Sequence, residues 1–107
     1  MKYAWLAAGA GALLVGVGGA LAATQTIDQM GLVFSVRHTE IKAGDTLTFA
    51  NMDDVIHDIA ITTPGGDEDD LGMQKPGEDL SYKFDQQGHY KVRCNIHPSM
   101  KLDVTVD

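Results

Sequence analysis

The chain has 107 residues, one cysteine and a formal net charge of −7, from 8 basic and 15 acidic side chains. That length holds one domain at most, and a hydrophobic share of 44% argues against disorder. A lone cysteine excludes an internal disulfide and the multi-cysteine zinc frameworks, and the acidic balance argues against a nucleic-acid partner, which needs a basic footprint.

The chain starts with a processing pattern. Lys2 is the only charge before Asp28, and residues 3–23 are apolar and rich in Gly and Ala. Ala20-Leu21-Ala22 supplies the small residues of a cleavage site. This predicts residues 1–23 as a secretory signal peptide and 24–107 as the folded domain. A stretch of about 20 apolar residues is also long enough to stay as a membrane anchor; the five glycines between Gly9 and Gly19 and the A-x-A end favour cleavage. A cut after Ala22 or Ala23 leaves 85 or 84 residues, and losing Lys2 takes the charge from −7 to −8. The expectation is a small, acidic, periplasmic protein without stable membrane insertion. So small a domain buries only about 60–65% of its unfolded surface and needs a staple.

The remainder reads as short strands. Residues 31–36 carry Leu32, Phe34 and Val36 on one parity. Residues 46–50 set Leu47 and Phe49 against Thr46 and Thr48. Residues 58–62 pair Ile59 with Ile61. Leu80, Tyr82 and Phe84 alternate over 80–84, Tyr90, Val92 and Cys94 over 90–94, and Leu102, Val104 and Val106 over 102–106. Period-two alternation gives each strand one buried and one wet face, as antiparallel sheets require. Turn signals such as Ala43-Gly44-Asp45, Pro64-Gly65-Gly66 and Pro76-Gly77 separate them. Six strands so spaced predict an all-β fold, a small sandwich or barrel. Residues 63–79 are the longest stretch without a strand pattern.

Alternation places Cys94 on the inward face at the end of its strand. A buried free cysteine is commonly just a small hydrophobe. An exported thiol, however, meets an oxidising compartment and needs protection. The sequence Cys94-Asn95-Ile96-His97-Pro98-Ser99-Met100 offers thiolate, imidazole and thioether at three-residue intervals in a tight loop. Soft sulfur beside imidazole selects copper over hard cations, and a blue-copper site combines two histidines and a cysteine with a long axial methionine.

One histidine must come from elsewhere. His57 opens the strand 58–62 beside a loop, as a ligand at a sandwich end would. His89 is out of phase with Cys94 and faces outward, about 16–17 Å away along the strand. His38, near Glu40, has no companion ligand nearby. His57 is therefore the expected fourth ligand, and His38 and His89 are expected on the surface.

At this point the sequence resembles the cupredoxins. The resemblance rests on residues 44–51 (Gly-Asp-Thr-Leu-Thr-Phe-Ala-Asn), then His57, Phe84, Gly88, Tyr90, Val92, Cys94, His97 and Met100. It covers essentially the whole domain, and the short cysteine-x-x-histidine-proline-x-methionine loop is most similar to amicyanin and plastocyanin-like members. It implies a Greek-key β-sandwich with one type 1 copper ion, held by His57, Cys94, His97 and Met100, that works in electron transfer. It also implies that His97 presents its ring edge at the surface, with Met52, Met73, Ile96 and Pro98 as a hydrophobic rim.

Two positions depart from the pattern. The residue after the first ligand histidine is usually an asparagine that ties the ligand loops together; here it is Asp58, which cannot donate as an amide when ionised. The residue before the second is often proline; Ile96 has an N–H that could reach the Cys94 sulfur. The segment 63–79 is expected to be where this short domain was trimmed.

The expected function is a periplasmic blue copper carrier shuttling single electrons between redox proteins. Its partners would be a c-type cytochrome or a dehydrogenase, with a basic surface if the run Asp67-Glu68-Asp69-Asp70 is a docking patch rather than a solvated loop. The expected state is a monomer. The alternative is a periplasmic copper chaperone or delivery protein, whose site must exchange its metal. An enzyme is not expected: there is no second histidine cluster, and the domain leaves no room for a substrate pocket.

Overall fold

The computed structural model describes residues 21–107; the predicted signal peptide falls almost wholly outside them. Eight strands run through the described residues: β1 Thr24–Gln29, β2 His38–Ile41, β3 Asp45–Asn51, β4 His57–Thr62, β5 Glu68–Gln74, β6 Asp79–Phe84, β7 Gly88–Arg93 and β8 Lys101–Val106. They form two sheets, one ordered β1-β3-β6 and the other β2-β8-β7-β4-β5. The expected all-β sandwich is present, with two departures from an antiparallel plan: β1 runs parallel to β3, and β2 parallel to β8. No helix among the described residues is long and apolar enough to cross a membrane.

The alternating residues do what their period dictates. Leu47 and Phe49 of β3, Tyr90 and Val92 of β7, and Leu102, Val104 and Val106 of β8 are buried between the layers. Strand β4 is buried along nearly its whole length because β7 and β5 flank it and its Ile59 and Ile61 belong to the core. Phe84 meets Tyr82 and Tyr90 edge-on, with ring centroids 4.8 and 4.9 Å apart, a favoured aromatic geometry.

Three sequence expectations fail here, each for a local reason. Residues 31–36 are not a strand. Gly31 and Leu32 both take left-handed backbone angles, φ 69° and 62°, which fold the chain back so that Met30 N donates to Val33 O and Ser35 N to Asp28 O. Phe34 alone enters the core, while Leu32 and Val36 stay exposed. Strands β1 and β2 were hidden because each buries few apolar side chains and gains its order by pairing with a core strand. The segment 63–79, which shows no strand pattern in the sequence, holds the seven-residue strand β5. Its Glu68, Asp69 and Asp70 suit an edge, where charge discourages pairing with another chain. A bulge shapes β5: Ile59 opposes Gly72 but Ala60 opposes Asp70. Gly72 takes φ 92° there, which glycine reaches without a Cβ clash.

Candidate metal centre

The ligand candidates gather at one end of the sandwich. His57 is the first residue of β4, Cys94 follows β7, and Met100 precedes β8. Residues 94–100 close on themselves: Met100 N donates to His97 O at 3.0 Å, and Cys94 N to Met100 O at 3.3 Å. Pairing of β7 with β8 fixes both feet of this loop. His57 and Met100 are wholly buried, Cys94 is 3% exposed, and His97 is half-buried.

One donor atom from each of His57, Cys94 and His97 lies within 4.8 Å of the other two. The two Nδ1 atoms stand 3.1 Å apart, and Cys94 Sγ is 3.6 Å from His97 Nδ1. Two nitrogens bound to one ion at about 2.0–2.1 Å stand roughly 3–3.5 Å apart, and a nitrogen and a thiolate roughly 3.5–4 Å. The observed spacings fit one small ion between the three atoms. A thiolate with two imidazoles is the donor set that copper favours.

The surroundings hold this arrangement. His57 Nε2 lies 2.8 Å from Asp53 Oδ2, so Nε2–H donates to the carboxylate and the Nδ1 lone pair faces the centre. Desolvation pushes the Asp53 pKa up, but hydrogen bonds from His57, Gly31 and Leu32 outweigh it and hold the group below the usual carboxylate range. The sulfur receives its backbone hydrogen bond from Asp58 N, at 3.3 Å, and not from Ile96. The tie between ligand loops, expected to suffer from the Asn-to-Asp departure, is thus made by the Asp58 main chain. The Asp58 carboxyl is buried with Oδ1 unpartnered. Burial first, then the neighbouring Asp70 carboxyl, push its pKa up, against the Asn95 backbone N–H.

His38 and His89 lie on the surface as expected, His38 3.5 Å from Glu40 and His89 3.4 Å from the Thr105 hydroxyl. Met52, Met73, Ile96 and Pro98 are all exposed. The acidic run is only partly free: Glu68 pairs with Arg93 at 3.1 Å, Asp69 accepts from Tyr82 OH, and Asp70 accepts from Gly72 N. Sequence reasoning missed Asp53 and the buried amides Gln29, Asn51 and Gln74. The one available signal was chemical: a ligating histidine needs an acceptor for its other nitrogen, and Asp53 stands four residues before His57.

The profile of a family described as copper binding proteins, plastocyanin/azurin family, matches residues 21–107. The chain belongs to this family. As a cupredoxin its cofactor is type 1 copper, which the His57, Cys94 and His97 cluster fits. Methylamine utilization protein MauL of Methylophilus methylotrophus is 34% identical over 70 residues, 64% of this chain and 40% of that protein. The match thus spans well under half of that relative. Amicyanin-alpha of Methylorubrum extorquens is 33% identical over 76 residues, 69% of this chain and 64% of its own length. Plastocyanin of Scenedesmus fuscus is 34% identical over 89 residues, 74% and 91%. The crystal structure of amicyanin from Paracoccus versutus superposes with a TM-score of 0.68 at 24% identity, covering 77% of this chain and 79% of that one, which establishes the shared fold.

Proposed function

We propose that this cupredoxin is a periplasmic single-electron carrier in which His57, Cys94, His97 and Met100 would hold the type 1 copper ion. The convergence of three donor atoms within 4.8 Å at the end of a rigid sandwich carries the reading. When bound, copper supplies a one-electron couple. The chain's part is to resist rearrangement. His57 is fixed by Asp53, the sulfur by Asp58 N, and the loop by its two backbone bonds. A frame that moves little between oxidation states keeps reorganisation small. His97 is the only half-buried member of the set, so its ring edge offers the route to a redox partner.

The apolar residues beside it suit a brief docking contact. Ile96 and Pro98 flank His97, Ser99 Oγ donates to Leu32 O and ties the ligand loop to residues 30–36, and Met73 pairs with Asp58 next to His57. A c-type cytochrome or a dehydrogenase is the proposed partner class. Residues 1–23 serve as the export signal in this reading. Burial of His57, Cys94 and Met100 favours a carrier over a delivery protein, which needs an accessible, exchangeable metal.

The test is to add Cu(II) to the purified domain and record its visible spectrum with a redox titration. An intense thiolate-to-copper band and a reversible couple are expected. A colourless or irreversibly reduced complex would overturn the reading in favour of delivery. In Cys94→Ser the band should vanish; its survival would refute the ligand assignment.

A further inference from the structure

We propose that Asp53 is a positioning residue that lowers the reduction potential of the centre by acting through His57; this rests on His57 being a copper ligand. The His57 ring is wholly buried, and Asp53 keeps only 12% of its side chain exposed. Its Oδ2 lies 2.8 Å from His57 Nε2, on the side of the ring away from Cys94 and His97.

The carboxylate cannot easily turn away. Gly31 N donates to its Oδ1 at 2.7 Å, and Leu32 N to Oδ2 at 3.2 Å. Its own backbone N–H donates to Asn51 Oδ1 at 2.9 Å. Asn51 is itself buried and donates to Val55 O and Gln74 O. Asp53 thus links three things: its carboxylate holds the ligand ring and the left-handed turn at Gly31 and Leu32, and its backbone N–H holds the end of β3.

A negative charge on the outer nitrogen does two jobs. It fixes the Nε2–H tautomer, which leaves Nδ1 free to ligate before any metal arrives. It also makes the imidazole a stronger donor, which favours the more highly charged oxidation state of the bound ion. Copper(II) gains more than copper(I), so the potential falls. A neutral acceptor at the same place would orient the ring without this second effect.

The experiment separates the two. Asp53→Asn keeps the side-chain shape and removes the charge. Its Cu(II)-to-Cu(I) affinity ratio should fall about tenfold, a rise of about 59 mV for a one-electron couple. Asp54→Asn removes the same charge from an exposed neighbouring side chain and should leave the potential in place. An Asp53→Asn potential equal to that of Asp54→Asn would overturn the proposal. The copper-free protein gives an independent reading: nitrogen NMR should find His57 as the Nε2–H tautomer in the parent chain and mixed tautomers in Asp53→Ala. A parent His57 protonated at Nδ1 would also overturn it. Absence of the thiolate band in the parent would instead sink the ligand assignment, and the copper-free tautomer would still test the hold of Asp53 on the ring.

Discussion

Replacing Gln74 by methionine should unfasten the two sheets from each other. Gln74 lies opposite His57 in the β4–β5 register. Its Nε2 donates to Phe49 O at 2.7 Å and Glu78 O at 2.6 Å, and its Oε1 accepts from Gln29 Nε2 at 2.6 Å. Both glutamines are fully buried. Gln29 and Phe49 belong to the three-stranded sheet and Gln74 to the other, so these bonds cross the sandwich. Methionine keeps length and volume but makes none of them. At about 1 kcal/mol net per bond the loss is about 3 kcal/mol, and the stranded Gln29 amide carries it towards roughly 4–5 kcal/mol. In a domain whose whole stability is about 5–15 kcal/mol, even 3 kcal/mol lowers Tm by about 12–24 °C. Urea unfolding of the copper-free protein, with the m-value checked for constancy, measures this. A loss below about 1 kcal/mol at unchanged m would refute the reasoning. The Gln29→Met, Gln74→Met double variant should recover part of the loss, because removing both partners costs less than stranding one.

Other outcomes follow from the same structure. Gly88 has φ 134°, and a Cβ there would lie 2.8 and 2.9 Å from Pro64 side-chain carbons; Gly88→Ala should cost about 1–3 kcal/mol in denaturant unfolding, and more than Gly44→Ala, whose Cβ would meet open space. Copper at a thousand times its Kd should raise stability by about 4 kcal/mol in thermal melts, a shift that Cys94→Ser should largely abolish. In a chain that keeps Ala23, hydrogen bonds from Ala23 N and then Lys42 N hold the Asp45 carboxyl below its ordinary pKa. That stabilisation is present above the unfolded value near 4 and is lost as pH falls through the lower folded value. The stability gap between the parent chain and Asp45→Asn should therefore narrow in unfolding curves taken below about pH 4; a gap independent of pH would refute the assignment.

The centre was far more legible than its frame. Cys94, His97 and Met100 sit within seven residues, and His57 was singled out because alternation turns His89 outward and His38 has no companion ligand nearby. Strands β3, β4, β6, β7 and β8 announced themselves because each buries alternate apolar side chains. Strand β5 did not, since its charged edge carries no such pattern, and β1 shows only Ile27 and Gln29 inward. The supporting shell was invisible for another reason. Gln29, Gln74, Asn51 and Asp53 are polar residues of ordinary surface type, and only tertiary pairing turns them inward. Residues 31–36 misled because a three-residue apolar parity looks the same in a strand and in a loop that anchors one phenylalanine. The Asp58 departure removed a side-chain donor, but the bond that matters comes from the main chain and does not depend on residue type.

The parallel pairing of β2 with β8 also governs how the chain reaches its native state. His38 lies beside Asp103 and Ile41 beside Val106, so this pairing waits for almost the entire domain to be laid down. Parallel pairing of β1 with β3 adds a second closure without a hairpin. Contacts so distant in sequence place folding on the slow side for a domain of this length. Throughout that interval the Cys94 thiol lies outside its finished pocket, open to oxidation and to premature metal capture. Refolding from denaturant thus sets strand closure against thiol chemistry, and reducing conditions should raise the yield of folded protein.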